Sequence, residues 1–318
     1  MSLGVLVVGL GQIGMGYDLE LDPDQYVHSH CRAFSQHPSF HLAAAVDPDS
    51  HRREIFTRTF QAPAHATVEA ALEQHQPAVV VIATPTHLHK DTLEKILAHS
   101  NPVAVLCEKP LSYDLEEARW MVSVCAEKGI HLFVNYMRRS VPGFLEVKRR
   151  IDSGEIQTPV KGMAWYSKGF LHNGSHFVNL LEYWLGPVQR TSVIAKGRVL
   201  NQLDSEPDVW IEFEKGSVAF LAAWEEQFSH YTVELLSPSG RLRCERGGET
   251  ISWQPADTGD IAGSGHSLST TAEIIESDMA RYQWHVINQI SESLEGRGPA
   301  ICGGEEALVT LGLMKSII

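Results

Sequence analysis

Gly9, Gly11 and Gly14 follow an apolar run over residues 3–8, and their spacing is the first chemistry this chain offers. A buried strand running into G-x-G-x-x-G turns sharply at the first glycine and leaves room for a phosphate against the backbone at the second. The third lets the following helix pack close to the strand. Gln12 and Ile13 complete the turn, and the helix N-terminus beyond it offers N–H groups and partial positive charge to a pyrophosphate. The pattern reads as a dinucleotide turn; a glycine-rich turn serving only the fold is the alternative. Asp47 closes the next apolar strand, residues 40–46, where a carboxylate would bond the ribose hydroxyls of an adenosine and repel a 2′-phosphate. That favours NAD, while Arg52 and Arg53 stand close enough to neutralise such a phosphate and keep NADP open.

Lys109 stands just past an apolar stretch over residues 102–106. An ammonium at the carboxyl end of a parallel strand can polarise a hydroxyl or carbonyl held beside a nicotinamide; pairing with Glu108 to lock the strand end is the other reading. His172 and His176 have the i, i+4 spacing of one helix face. Asn173 and Gly174 are poor interior helix residues, which puts His172 in a loop or first turn and His176 a turn further on. Such a pair suits acid–base chemistry or substrate contact. A zinc site would want a third protein ligand, and His28, His30 and Cys31 are too closely spaced to supply one, so no metal is expected. Trp165, Tyr166 and Phe170 just ahead of the pair could wall a sugar pocket, with at least one of them in the core.

The elements that must position these groups fall into two classes. Up to about residue 135, apolar strands over residues 40–46, 78–83, 102–106 and 130–135 alternate with helices over residues 30–35, 68–75, 87–99 and 114–128. Near-continuous apolar strands between helices mean a parallel sheet covered on both faces. Asp47 lies 38 residues beyond Gly9, further than the ~20 of a compact unit; residues 17–27, acidic and turn-rich, account for the excess as an insertion or a break in the first helix. Later, half-buried strands are expected over residues 160–166, 188–196, 209–214, 217–224, 231–237, 242–244 and 250–253. Helices are expected over residues 142–151, 175–184 and 303–317, with a long amphipathic one over residues 270–294. The fold class is therefore α/β: a Rossmann dinucleotide-binding domain over residues 1–134, then an α+β domain over residues 135–318 with a large, mostly antiparallel open sheet.

Composition removes several function classes. A formal charge of −13 argues against nucleic acid. No run approaches the ~20 apolar residues that span a bilayer, and no signal peptide is visible. The five cysteines, Cys31, Cys107, Cys125, Cys244 and Cys302, lack C-x-x-C spacing and suit buried thiols in a reducing compartment. A soluble cytoplasmic protein is expected, without membrane or nucleic-acid partners. The helices of the second domain are too few to cover both faces of its sheet, which predicts a homodimer or homotetramer through that sheet.

Together, the glycine turn, Asp47, the segment Ala83-Thr84-Pro85-Thr86-His87-Leu88-His89, Glu108-Lys109-Pro110-Leu111, Asn135-Tyr136-Met137-Arg138-Arg139 and Gly174-Ser175-His176 carry a family likeness. Over nearly its full length the chain resembles the Gfo/Idh/MocA oxidoreductases, the glucose-fructose oxidoreductase and inositol dehydrogenase family. The resemblance implies NAD(H) or NADP(H) in the first domain and a sugar, cyclitol or nucleotide-sugar substrate against the open sheet face of the second. It implies Thr84, Pro85 and His89 along the nicotinamide side, Glu108 and Lys109 at the junction, and Arg138 on the crevice floor. Lys109 would bond the substrate oxygen at the reacting carbon, and His176 would be the acid/base. In the family's pattern an Asp precedes that histidine by four residues and another often follows by three. Here His172 and Asn179 stand instead, which leaves a different substrate touched by His172, or weakened redox chemistry. The expected activity is hydride transfer between nicotinamide and a secondary alcohol or ketone. An NAD-retaining sugar enzyme with no net redox, and a non-catalytic nucleotide-responsive binding protein, are the alternatives.

Overall fold

The structure, a computed structural model, describes residues 2–200, 203–223, 228–257, 267–298 and 301–318. Two compact units form, Met1–Ser140 with Ala280–Gly312, and Val141–Met279 with Leu313–Ile318.

In the first unit the strands are β1 (Leu3–Val8), β2 (Phe40–Val46), β3 (Ala64–His65), β4 (Val79–Ile82), β5 (Ala104–Cys107) and β6 (His131–Val134). Among the described residues they make a six-stranded sheet in the order β3-β2-β1-β4-β5-β6, every pairing parallel. This is the doubly wound order, whose ligand sites lie outside the carboxyl ends of the strands. Helices α1 (His30–Gln36), α2 (Ser50–Phe60), α3 (Val68–Leu72), α4 (His89–His99) and α5 (Leu115–Glu127) alternate with these strands. Side chains cap some of these starts: Thr67 caps α3, and one oxygen of Asp114 accepts the amides of Glu116 and Glu117 at the start of α5.

Residues 17–27 prove to be an insertion into a helix that almost continues across them. Tyr17 N–H bonds Gln12 O, and the helical ladder resumes when His30 N–H bonds Ile13 O and Cys31 N–H bonds Gly14 O.

The second unit holds α6 (Pro142–Ser153), β7 (Val160–Tyr166), α7 (Ser175–Leu185), β8 (Val188–Val199), β9 (Ser205–Phe213), β10 (Gly216–Ala222), β11 (Thr232–Ser237), β12 (Gly240–Glu245), β13 (Thr250–Asp257), β14 (Ser267–Leu268) and β15 (Glu273–Ile275). Among the described residues its sheet runs β14-β13-β12-β11-β7-β10-β9-β8, with β15 added on β13. Only the β7–β10 pairing is parallel within that described sheet. The expected strand over residues 217–224 appears as β10; Trp224 lies outside the described residues. Period-two alternation sorts the side chains: Ala164, Val209, Ile211, Val218, Phe220, Val233, Leu235 and Leu242 are buried, while Met163, Trp165, Trp210, Ala219, Leu221 and Glu234 on the alternate face are half-buried.

One element differs from its expectation. Residues 270–294 do not form a single helix: β15 pairs antiparallel with β13, Asp278 takes φ 56°, and α8 begins only at Tyr282 (Tyr282–Leu294). A left-handed residue cannot continue a right-handed helix, and Ile251 and Ser252 of β13 supply the pairing that captures Ile274 and Ile275. The apolar face of α8, Val286, Ile287 and Ile290, then enters the same core as Val5, Val7 and Phe34. That burial returns Ala280–Gly312 to the first unit, although all of residues 135–318 were expected in the second. The last helix, α9, spans Gly304–Lys315.

Candidate functional site

The glycine turn has the close approaches its sequence requires. A Cβ on Gly14 would lie 2.0 Å from Gly9 O, and one on Gly9, whose φ is +101°, would lie 2.6 Å from Ala83 O and 3.0 Å from Thr84 N. Gly11 is the contrast: a Cβ there would meet nothing within 4 Å, so open space lies over the turn where a phosphate would approach. Asp47, 3 % exposed, holds the turn to the end of β2. Its Oδ2 accepts Leu10 N–H at 2.8 Å and its Oδ1 accepts Asp49 N–H at 2.9 Å. Arg53 donates to Asp47 O at 2.7 Å and to Pro48 O at 2.9 Å, while Arg52 Nη1 lies 3.5 Å from Asp47 Oδ2. Both arginines thus sit around Asp47.

Thr84 and Pro85 follow β4 and, through Gly9, lie beside the turn. Thr84 Oγ1 is buried without a hydrogen-bond partner, a polar atom awaiting one. His89 stands at the start of α4, just past the same segment. It is fully buried, with Nε2 3.0 Å from Thr84 O and Nδ1 3.1 Å from Leu111 O. Burial lowers its pKa below the ordinary imidazole value. A neutral ring can donate to only one of those carbonyls. Its two contacts stitch the segment after β4 to the one after β5.

Glu108, at the carboxyl end of β5, belongs to a closed ring of side chains that sequence reading missed. His30 Nε2 lies 2.8 Å from Glu108 Oε1, and Asn135 Nδ2 donates to the same oxygen at 2.7 Å. Asn135 Nδ2 also donates to Gln283 Oε1 at 3.2 Å, and Gln283 Nε2 lies 2.9 Å from His30 Nδ1. A carboxylate can only accept, so His30 carries its proton on Nε2 and accepts from Gln283 at Nδ1. Burial pushes the Glu108 carboxyl up, but the hydrogen bonds from His30 and Asn135 and the Lys109 charge outweigh it and hold the pKa below the usual carboxylate range. Lys109 follows directly, at the strand end the sequence indicated, and Arg138 is buried in the turn Met137–Arg139 after β6.

In the second unit a wide turn, Phe170–Gly174, runs straight into α7, with Asn173 N–H and Gly174 N–H both directed at Gly169 O. His172 lies in that turn and is exposed; His176 lies in the first turn of α7 and is half-buried; Asn179 is buried. Asn173 Nδ2 donates to Tyr231 Oη at 2.7 Å. Of the three aromatic residues ahead of the pair, Tyr166 and Phe170 are core, and Trp165 stands on the half-buried face of the sheet. The structure also brings Asp204 and Glu206 to this turn from the approach to β9. No spacing signal in the sequence links them to it.

Residues 3–136 match the family model described as an oxidoreductase family with an NAD-binding Rossmann fold, Gfo/Idh/MocA. A curated relative, scyllo-inositol 2-dehydrogenase (NAD(+)) of Bacillus subtilis, is 30% identical over 244 residues, 68% of this chain and 66% of the relative. The chain belongs to the Gfo/Idh/MocA oxidoreductase family. A second relative, 2,7-anhydro-N-acetylneuraminate hydratase of Escherichia coli, is 24% identical over 71% of this chain and 65% of its own. The chain thus matches slightly under two thirds of the length of these relatives. Among solved structures, the WlbA dehydrogenase from Bordetella pertussis in complex with NADH and UDP-GlcNAcA shares the fold at a TM-score of 0.75, with 18% identity over 99% of this chain and 95% of that one. The open space over Gly11, the orphaned Thr84 Oγ1 and the anchored Asp47 carboxylate fit the dinucleotide that the family's fold implies.

The ring around Glu108 has a measurable consequence. A depressed carboxyl pKa contributes stability that is fully present above the unfolded value of about 4.3 and is lost as pH falls through the lower folded value. Glu108→Gln should flatten that acid limb in urea unfolding followed against pH. It should also cost about 1–3 kcal/mol at neutral pH, since a buried donor of His30 or Asn135 loses its ionised acceptor. An unchanged acid limb would remove the ring from the account of the strand end.

Proposed function

We propose that this protein is an NAD-dependent oxidoreductase that moves hydride between nicotinamide and a secondary alcohol or ketone of a sugar, cyclitol or nucleotide sugar. The observation that carries the reading is Lys109 at the carboxyl end of β5, in the same parallel sheet as the glycine turn and Asp47. Gly9, Gly11, Gln12, Ile13 and Gly14 would hold the pyrophosphate, Asp47 the adenosine ribose, and Thr84 and Pro85 the nicotinamide side. The dinucleotide, when bound, supplies the hydride acceptor or donor. The chain's own work is position and charge. Lys109 would stabilise negative charge growing on the substrate oxygen, and His176 would take or return the hydroxyl proton. His172 would hold the substrate, and Glu108, kept ionised by its ring, would keep an anion beside the lysine. The half-buried outer face of the second unit's sheet would pack on another copy, as dimer or tetramer.

A second reading has its own support. The 24% identical relative named as a hydratase carries out no net redox by that name. An enzyme of that kind would bind NAD and turn over substrate without accumulating NADH.

Absorbance of NADH with scyllo-inositol and a panel of inositols and UDP-sugars separates the two readings. Net NADH supports the dehydrogenase; substrate loss without NADH supports the other. His176→Ala should lower kcat by about 10²-fold or more, whereas His172→Ala should raise KM more than it lowers kcat. An unchanged kcat in His176→Ala would place the base elsewhere. For the cofactor, titration should show NAD binding more tightly than NADP. Asp47→Ala should weaken NAD and narrow the gap, because the same carboxylate meets the ribose and clamps Leu10 N–H; a wild-type preference for NADP would overturn the assignment. Light scattering should return a multiple of 35.3 kDa, and a monomer mass at micromolar concentration would count against assembly through the sheet.

A further inference from the structure

The turn that carries His172 and leads to His176 has no cap of its own. The first amides of a helical run lack internal acceptors and need them from elsewhere, and Gly169, the residue ahead of Phe170–Gly174, has no side chain to give. The acceptors come from 32 to 37 residues further along the chain. Asp204 Oδ1 accepts Leu171 N–H at 2.9 Å and Oδ2 accepts His172 N–H at 3.0 Å, and Glu206 Oε1 accepts Gly169 N–H at 3.2 Å. Asp204 is 6 % exposed and Glu206 0 %. The glycine is what admits the carboxylate: Gly169 has φ +95°, and a Cβ on it would lie 2.1 Å from Asp204 Oδ2. Lys168, just before it, also takes a positive φ, 60°, a strained value for a side-chain-bearing residue.

We infer that Asp204 is the positioning residue of the His172–His176 pair, its carboxylate fixing through the amides of Leu171 and His172 the turn that holds His172 and leads into the first turn of α7, where His176 stands. The carboxylate stands on a different element from the histidines and reaches the turn through its backbone. The inference rests on reading His176 as the group that carries the substrate proton. It gives Asp204 no contact with the reacting atoms. A carboxylate bonded to successive amides at a helix start acts by charge-assisted hydrogen bonds and by opposing the positive end of the helix. Release of that clamp would let the turn and the Ser175–His176 start of α7 sample other geometries while the body of α7, whose buried face includes Phe177, Leu180, Leu181 and Trp184, stays packed.

The test compares full-length wild type with Asp204→Asn, which keeps the shape and removes the charge, and with Asp204→Glu. In protein labelled on histidine, the His172 and His176 ring resonances should be single in wild type, broadened or doubled in Asp204→Asn, and partly recovered in Asp204→Glu. NAD affinity, read by titration, should not move. On an inositol or UDP-sugar that the wild type turns over, kcat should fall by about 10- to 10²-fold with KM little changed, the scale of a small misplacement of a catalytic group. Unchanged ring resonances in Asp204→Asn would overturn the inference and leave the proposed function standing. Absence of turnover in wild type would count against the proposed function, and the resonances would still decide the role of Asp204. If Asp204→Asn does not fold, hydrogen exchange on wild type decides: the amides of Leu171 and His172 should exchange as slowly as that of Leu181, and exchange at the rate of an open chain would overturn the clamp.

Discussion

A carboxylate sealed from water has to be met by donors, and in this protein many of those donors are backbone amides. Asp18, 1 % exposed, takes His28 N–H at 2.6 Å, Ser29 N–H at 2.8 Å and Ser29 Oγ–H at 2.6 Å. Asp47 takes Leu10 and Asp49, and Asp204 takes Leu171, His172 and Ser205. Each stands where the chain has left regular structure and its amides have lost their usual acceptors. Ionised acceptors make shorter and stronger hydrogen bonds than neutral ones, and a low local dielectric strengthens them further while making an unmet partner costly. The irregular segments that bear the candidate site residues are held by buried carboxylates.

Within the first unit these clamps join into one path. Asp18 closes the insertion and delivers Ser29 to the start of α1, where Ser29 Oγ accepts Arg32 N–H. The backbone of Ile13 and Gly14 then receives His30 and Cys31, which ties α1 to the glycine turn. His30 in turn meets Glu108, and Gln283 closes the ring from α8. Turn, insertion, α1, the end of β5 and α8 are linked by consecutive hydrogen bonds. The return of α8 to this unit is therefore chemical as well as hydrophobic: it brings Gln283 to His30 on the same face that buries Val286 and Ile290.

What was legible in the sequence was local. The strand, glycine turn and strand-end lysine are written in consecutive residues, and Asp114 lies within three residues of the amides it caps. The break in the first helix was visible from its acidic insertion. The misread helix over residues 270–294 failed for a non-local reason: Glu273, Ile274 and Ile275 fit an amphipathic period as well as they fit a strand, and β13, some 22 residues earlier, decides between them. The bridging contacts of His89 could not be read from its motif, because its two carbonyl partners, Thr84 O and Leu111 O, lie 27 residues apart in sequence. The ring around Glu108 draws on partners 78 and 27 residues away, and nothing in the type or spacing of His30, Asn135 and Gln283 announces it.

The same non-locality binds the hairpin of β8 and β9 to the histidine turn. Asp204 and Glu206 stand at the start of β9, and Arg198 of β8 donates to Glu206. Gly197, at φ +65°, comes so close that a Cβ would lie 1.7 Å from Glu206 O. The carboxylates are thus set in register by the hairpin before they reach Gly169, Leu171 and His172. Tyr166 adds a second tie, its hydroxyl donating to Pro207 O between those carboxylates and the body of β9. A one-residue change of register in β9 would turn its side chains to the other face, and Glu206 would leave the amide of Gly169. The hairpin and the turn can therefore change only together. A carboxylate lying 32 positions from His172 in sequence holds that histidine's own amide.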